Sequence, residues 1–361
     1  MPHRKTVRFS VIGLNHSHID DLVDTLLAAG ATLVSFFAPE DDLARIFSTK
    51  YPAALRAERV QHILEDDSIQ LVASAAIPHE RAAIGVQVMR HGKDFFTDKP
   101  GFTELDQVAE AQRAHDETGR LFYVAYGRLS SRAMHRAGEL VRAGAIGRPV
   151  QTVGLGPHRI NAPARPPWFF RRALYGGIIT DLGSHLVEQF LFFTGATTAD
   201  VVSAQVGNYN HSDTPELEDF GDAVLRGDNG STGYLRVDWF TPAGLDTFGD
   251  QRLLVLGTDG YLEIRSTCDL AGRPGGEHLF LVDHHEVQHV DCHDVDTRLG
   301  HRLLDDVTRR TETVMSQSHC FEASRVTLRA QAAAHDVGDR GSRPSRSSSR
   351  RRDSCWRPTL S

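Results

Sequence analysis

Short apolar runs alternate with amphipathic stretches over the first 125 residues. Val7–Ile12 is apolar and ends at Gly13, as a buried strand does before a turn. Ile19, Leu22, Val23, Leu26 and Leu27 then share one helical face, Gly30 closes the helix, and Ser17 with Asp20 predicts a capping box at its start. The alternation continues through a strand at Thr32–Phe37, a helix at Asp41–Lys50 ended by Tyr51-Pro52, a helical piece at Ile63–Asp66 and a strand at Leu71–Ala76. A helix His79–His91 follows the turn at Pro78, and Asp94–Thr97 is a short strand. Thr103 and Asp106 predict a second capping box for a helix to Thr118, stopped by Gly119, and Leu121–Ala125 is the last strand. Strands alternating with helices of this length predict a doubly wound parallel sheet, a Rossmann-type domain over residues 1–126, whose ligands sit beyond the carboxyl ends of the strands.

The pattern then changes. After a helix at Arg128–Ala143 come eight short, often alternating strands: Val150–Leu155, Val201–Tyr209, Gly221–Arg226, Gly233–Trp239, Arg252–Leu256, Tyr261–Arg265, His278–Val282 and Glu286–Val290. Helices are confined to Leu182–Phe193, His301–Thr313 and Cys320–Ala334. This predicts an α+β domain over residues 127–335, with a large, mostly antiparallel open sheet and helices on one side. Residues 336–361, rich in Arg, Ser, Gly and Pro without apolar periodicity, read as a disordered basic tail.

Composition narrows the function. Of 361 residues 40% are hydrophobic and 24% charged, as in a globular enzyme. The net charge is −7, but the tail carries +4, so the rest of the chain carries −11, which argues against nucleic-acid binding. No run approaches the ~20 apolar residues of a membrane span. Four cysteines without Cys-x-x-Cys spacing, and no secretory leader, lead us to expect a cytoplasmic protein.

Four segments bear chemistry. The turn Gly13-Leu14-Asn15-His16-Ser17-His18 keeps only the first glycine of a dinucleotide fingerprint, although a helix N-terminus still offers N–H groups to a phosphate. Ala38 stands where an acidic ribose ligand is usual, with Glu40, Asp41 and Asp42 just beyond. Asp98-Lys99-Pro100 follows a strand at the carboxyl edge, and Asp181 and His185 lie four apart in Gly176-Gly177-Ile178-Ile179-Thr180-Asp181-Leu182-Gly183-Ser184-His185, one helical turn from each other. A carboxylate beside an imidazole can orient it and raise its basicity.

Together, the Lys-Pro after a strand and Gly-Gly-x-x-x-Asp-x-Gly-x-His ahead of an antiparallel region resemble the glucose–fructose oxidoreductase / inositol dehydrogenase (Gfo/Idh/MocA) family over roughly residues 6–335. Departures are Asp98 for the usual Glu, the glycine-poor turn and Ala38. The resemblance implies NAD(P)-dependent oxidation of a secondary alcohol of a sugar, cyclitol or related polyol. It assigns His185 as acid/base, Lys99 as the cation on the same oxygen and Asp181 as the group orienting either. It places the cofactor on Gly13, Leu14, Asn15, His16, Glu40, Asp41, Pro78, Lys99 and Pro100, and it implies an often cis Lys-Pro bond and a homo-oligomer, dimer or tetramer, through the second sheet. Tyr126 and Arg128, with His158 and Trp168 ahead of the Gly-Gly motif and their neighbours Arg159, Phe169, Arg171 and Arg172, are candidate substrate contacts. With no Arg at positions 38–42 and three acids there, NAD is expected over NADP.

Two other classes compete. A catalytically silent nucleotide-sensing regulator would share the fold. A metal-dependent hydrolase would use Asp181, His185 and Glu188; His284, His285, His289, Cys292 and His293 are also metal-like by type but read as a surface hairpin. No metal is expected.

Overall fold

The computed structural model describes residues 6–338. The first region runs β1 (Arg8–Ile12), α1 (Ile19–Ala28), β2 (Thr32–Phe37), α2 (Asp41–Lys50), β3 (Leu55–Arg56), α3 (Gln61–Leu64), β4 (Leu71–Ser74), α4 (Pro78–Arg90), β5 (Asp94–Asp98), α5 (Leu105–Thr118) and β6 (Phe122–Ala125). Its strands form one parallel sheet in the order β3-β2-β1-β4-β5-β6. β4 and β5 are buried at every residue, as strands covered on both faces must be. The order reverses between β1 and β4, so the crevice for a ligand opens at the β1–α1 turn.

Neither capping box forms. The His16 amide is bound by Ala75 O at 2.9 Å and the His18 ring by Asp98 at 3.0 Å, so the turn is fixed from outside and the exposed Ser17 presents its carbonyl, not its hydroxyl, to Asp20 N–H. At α5 it is Gln107 Oε1 that takes the Thr103 amide, at 2.8 Å. The two-residue β3 was not expected; it is solvent-exposed and carries no apolar signal.

The second region runs α6 (Arg132–Arg142), β7 (Pro149–Pro157), α7 (Arg172–Tyr175), α8 (Ser184–Thr194), β8 (Ala199–Gly207), β9 (Phe220–Gly227), β10 (Thr232–Asp238), β11 (Arg252–Gly257), β12 (Gly260–Arg265), β13 (His278–Asp283), β14 (Val287–Val290), α9 (Leu299–Arg309), α10 (Gln317–Ala333) and β15 (His335–Asp336). The sheet order is β14-β13-β12-β11-β7-β10-β9-β8-β15, antiparallel except where β7 meets β10 and β8 meets β15. Helix α8 lies on this sheet. It approaches so closely that a Cβ on Gly154 would stand 2.9 Å from Leu186, and one on Gly233 2.8 Å from Phe190. The segment Ile179–Gly183, expected as plain helix from Leu182, is a π-helical turn leading into α8.

The regions interlock. Gln317 Oε1 at the start of α10 accepts the Phe122 N–H of edge strand β6 at 2.7 Å, Tyr123 donates to Asp306 of α9 at 2.9 Å, and Arg310 pairs with the buried Asp94. Asp336, the first residue of the expected tail, lies in β15, and Val337 N–H reaches Val206 O at 2.8 Å; the rest of that segment, from 339, lies outside the described residues. Among the described residues no helix is long and apolar enough to cross a membrane.

Candidate active site

A cleft of about 770 Å³ opens over the carboxyl ends of the parallel strands and reaches the second sheet. Lys99 ends the β5 edge, joined to Pro100 by a cis peptide. Its Nζ donates to Asp181 Oδ1 at 2.7 Å and to the Asp181 carbonyl at 3.2 Å. The π-helical turn holds Asp181 there because its free amides are taken from outside: Ile178 N–H by Glu218 at 2.8 Å, and Ile179 and Thr180 N–H by Gln331 Oε1 at 2.9 and 3.2 Å. Burial alone would raise the Asp181 pKa, but the charge and hydrogen bond of Lys99 prevail and hold it below the usual carboxylate range.

His185, the first-turn residue of α8, is not touched by Asp181. Its Nδ1 accepts the Gly127 N–H at 3.0 Å. Burial, with Lys99 and His158 adding repulsion, pushes its pKa down to about 3. The ring is therefore neutral, and since a backbone amide must be the donor to Nδ1, its proton sits on Nε2. In that tautomer Nε2 of His185 is a donor and not a lone pair. His158 is saturated, Nδ1–H on Gly156 O at 3.0 Å and Nε2 against Gln251 at 3.1 Å, and burial lowers its pKa to about 4.

Beneath the turn, Asp98 is clamped by Arg81. This arginine, 0% exposed, donates to Ala76 O, Asp98 O and Pro100 O at 2.7–3.1 Å and to Asp98 Oδ2 at 3.1 Å. Burial would raise the Asp98 pKa, yet Arg81 and His18 hold it far below the ordinary range. Burial also lowers His16 to about 3. His16, His18 and Asp98 are the one group of three potential metal ligands close together among the described residues, but the Arg81 guanidinium already occupies the carboxylate, so the set does not suit a cation. The triad Asp181, His185 and Glu188 does not converge: Glu188 is fully buried on Arg128 and His319. The histidines around Cys292 form no such group, His289 lying against Phe280 and His278.

The other expected residues divide. His16, Pro78, Lys99, Tyr126, His158, Arg159, Trp168 and Phe169 line the cleft. Tyr126 shows it only ring surface, since its hydroxyl bonds Ser324 at 3.2 Å. Arg128 is not a substrate contact: it is buried, paired with Glu188 at 2.7 Å and stacked on Phe192. Arg171 and Arg172 are tied to Glu216 and Glu218. Gly13, Leu14, Asn15, Glu40 and Asp41 lie off this wall. Asn15 Nδ2 donates to Glu40 Oε1 at 2.7 Å, and exposed Asp41 pairs at 2.8 Å with Arg56, which also reaches the Ala38 carbonyl. A cation thus stands at the end of β2 after all, supplied from β3. Sequence reasoning also missed Arg81, Trp239, Phe248, Gln251 and Arg165, whose guanidinium lies 4.5 Å from the Phe169 ring and 5.3 Å from that of Trp239. Only the Trp239 aromatic in a strand gave any signal.

The chain is similar to several known proteins. A family model described as the GFO/IDH/MocA C-terminal domain matches residues 134–263. A crystal structure from Erwinia carotovora atroseptica, provisionally described as an oxidoreductase, is 45% identical, covers 92% of this chain and 100% of its own, and superposes with a TM-score of 0.89. The scyllo-inositol 2-dehydrogenase (NAD(+)) of Bacillus subtilis is 26% identical over 266 residues, 72% of this chain and 73% of the relative. A D-xylose dehydrogenase of Paenarthrobacter nicotinovorans is 24% identical over 210 residues, 57% and 53% of the two chains.

Proposed function

The chain belongs to the Gfo/Idh/MocA family, and on that premise we propose that it moves a hydride between NAD and a secondary alcohol of a sugar or cyclitol held between Lys99 and His185. It is an NAD(P)-dependent oxidoreductase acting on CH–OH groups. The relatives named for scyllo-inositol and D-xylose supply the substrate class. The observation that carries the reading is the Lys99–Asp181 pair at 2.7 Å beside a neutral His185, in one cleft with the β1–α1 turn.

The residues fit a dinucleotide. Gly13 has φ +86° and a Cβ there would meet Ala76 at 2.5 Å, so the turn hugs the sheet and a phosphate could approach its backbone closely. Glu40 Oε2 is buried without a partner beside the end of β2, where ribose hydroxyls are read in this fold. The amides of Leu14, Asn15 and Ser17, which the turn's own bonds leave out, would hold the phosphates, and Glu40 the ribose. A bound nicotinamide supplies the hydride acceptor in oxidation and the donor in reduction.

The chain's own groups do the rest. Lys99 and the His185 Nε2–H direct two donors at one oxygen, stabilising the negative charge that develops there as the carbon gives up hydride. Burial opposes a second proton on His185, so the hydroxyl proton leaves past Lys99: it arrives on Nζ as that ammonium releases a proton to solvent, while Asp181, kept ionised, holds Nζ in place. Trp168, Trp239 and Arg165 wall the substrate side. A silent regulator has no use for this reacting end, and no observation supports that alternative. The test is a panel of inositols, sugars and sugar acids with NAD and NADP, read by reduced-nicotinamide absorbance. Turnover of at least one member of the panel is the expected result; no turnover of any member with either cofactor refutes the reading.

A further inference from the structure

A second chamber of about 250 Å³ opens beside His185 and shares part of its lining with the main cleft, Gly127, Ser130, His158, His185 and Gln251 among it. Nothing in the chemistry above uses it. We propose that this chamber is the subsite for the far hydroxyls of an uncharged ring polyol, and that Gln189 reads them; the proposal rests on the hydride-transfer reading and names its substrate more narrowly.

Gln189 follows His185 by four residues on α8, so the two side chains lie on one face about 5–6 Å apart along the helix. That is the span between hydroxyls on opposite sides of a six-membered ring. Gln189 is only 7% exposed, and its Oε1 is buried with no hydrogen-bond partner. A buried acceptor left unpaired beside a cavity is costly unless a small turn of its side chain lets a ligand donor complete it. The remaining lining says which donor. Arg252 is tied to Asp250, and Glu277 is spent on the Ser131 hydroxyl at 2.8 Å and the Ala133 amide at 2.7 Å. Arg252 is the one lysine or arginine in the lining, so no unpaired cation of that kind is left to greet a carboxylate or a phosphate. The hydroxyls of Ser130 and Ser266 sit among Met134 and Leu253, a mixed surface that suits the alternating C–H and O–H of a polyol. The volume equals roughly eight waters, enough for the distal half of a ring.

The experiment uses the full chain with myo-inositol, D-xylose and glycerol as probes, and titrates NADH separately by its fluorescence. Replacing Gln189→Leu removes the acceptor at similar size. It should raise KM for the best ring polyol about tenfold, the effect of one lost hydrogen bond, with kcat within about twofold. Glycerol, too short to reach the chamber, should keep its kcat/KM, NADH its affinity, and Tm should hold or rise as a buried unpaired group is lost. Gln189→Glu, which keeps an acceptor oxygen, should restore most of the KM. An unchanged KM in Gln189→Leu, a parallel loss for ring polyol and glycerol, or no ring polyol among the substrates of an NADH-binding enzyme overturns the subsite alone. Failure of the unaltered chain to bind NADH overturns the hydride-transfer reading and the subsite with it.

Discussion

The two ends of the cleft are built on opposite plans. At the reacting end, Lys99, Asp181 and His185 show their polar atoms to the ligand while buried groups hold them from behind: Gln331 and Glu218 grip the turn that carries Asp181, and Gly127 grips His185. At the dinucleotide turn, positions this fold usually keeps as glycine carry side chains that serve the protein. Asn15 is tied to Glu40, and His18 to the Asp98–Arg81 clamp. One end keeps its motif residues for chemistry; the other has turned its motif positions into stitching between β1, β2 and β5. Substitutions should therefore damage turnover at the first and stability or cofactor choice at the second.

Lys99→Met tests this contrast most sharply. It should lower kcat by roughly 10²–10⁴, the usual range for lost acid–base help, and leave NADH affinity nearly unchanged. Near-full turnover would show that the reacting end is misassigned. Arg81→Met should do the reverse. Removing one partner of a buried pair leaves Asp98 uncompensated and should cost about 3–5 kcal/mol, read as a lower Tm and a lower denaturant midpoint.

Acid should expose both ends together. His16 and His185 are lowered to about 3 and His158 to about 4, against about 6.5 when unfolded. The unfolded chain thus binds more protons, so stability is complete above pH 6.5 and falls as pH drops from there toward 4, with uptake of up to three protons on unfolding. Urea midpoints across pH 4–8 check this, and the pH profile of kcat should show no break near 6.5 from His185. The smallest effect concerns cofactor choice. The acids at the end of β2 favour NAD, and Asp41 offsets Arg56; Asp41→Asn frees that cation and should narrow the preference a few-fold, by the ratio of kcat/KM for the two cofactors. A wider preference would show that Arg56 plays no part in it.

What was legible in the sequence follows from range. Strand and helix periodicity is local, so Thr32–Phe37 and Asp41–Lys50 appear where the pattern puts them, and the eight strands of the second region are all present. Lys99 and His185 stand out in the sequence because each sits in a compact motif. Their partners do not. Arg81, Gln331 and Gly127 act through contacts that no spacing announces, and the proton placement on His185 depends on an amide 58 residues away. Arg128 misled for the same reason: its position beyond β6 suggested the cleft, while Glu188, 60 residues on, draws it into the interior. The capping boxes failed because tertiary ties at His16 and Gln107 took over the amides they would have served.

The hydrogen bond from Phe122 N–H to Gln317 joins residues 195 apart, and it bears on how the chain is made. A ribosome adding about 5–20 residues per second takes roughly 10–40 s to pass from one to the other. During that interval the edge strand of the first domain has been synthesised but its covering helix has not. The nascent chain must carry an open sheet edge that invites pairing with other strands. Helix α10 thus times the closure of the first domain, which makes this interval the stage of synthesis at which a chaperone would be most needed.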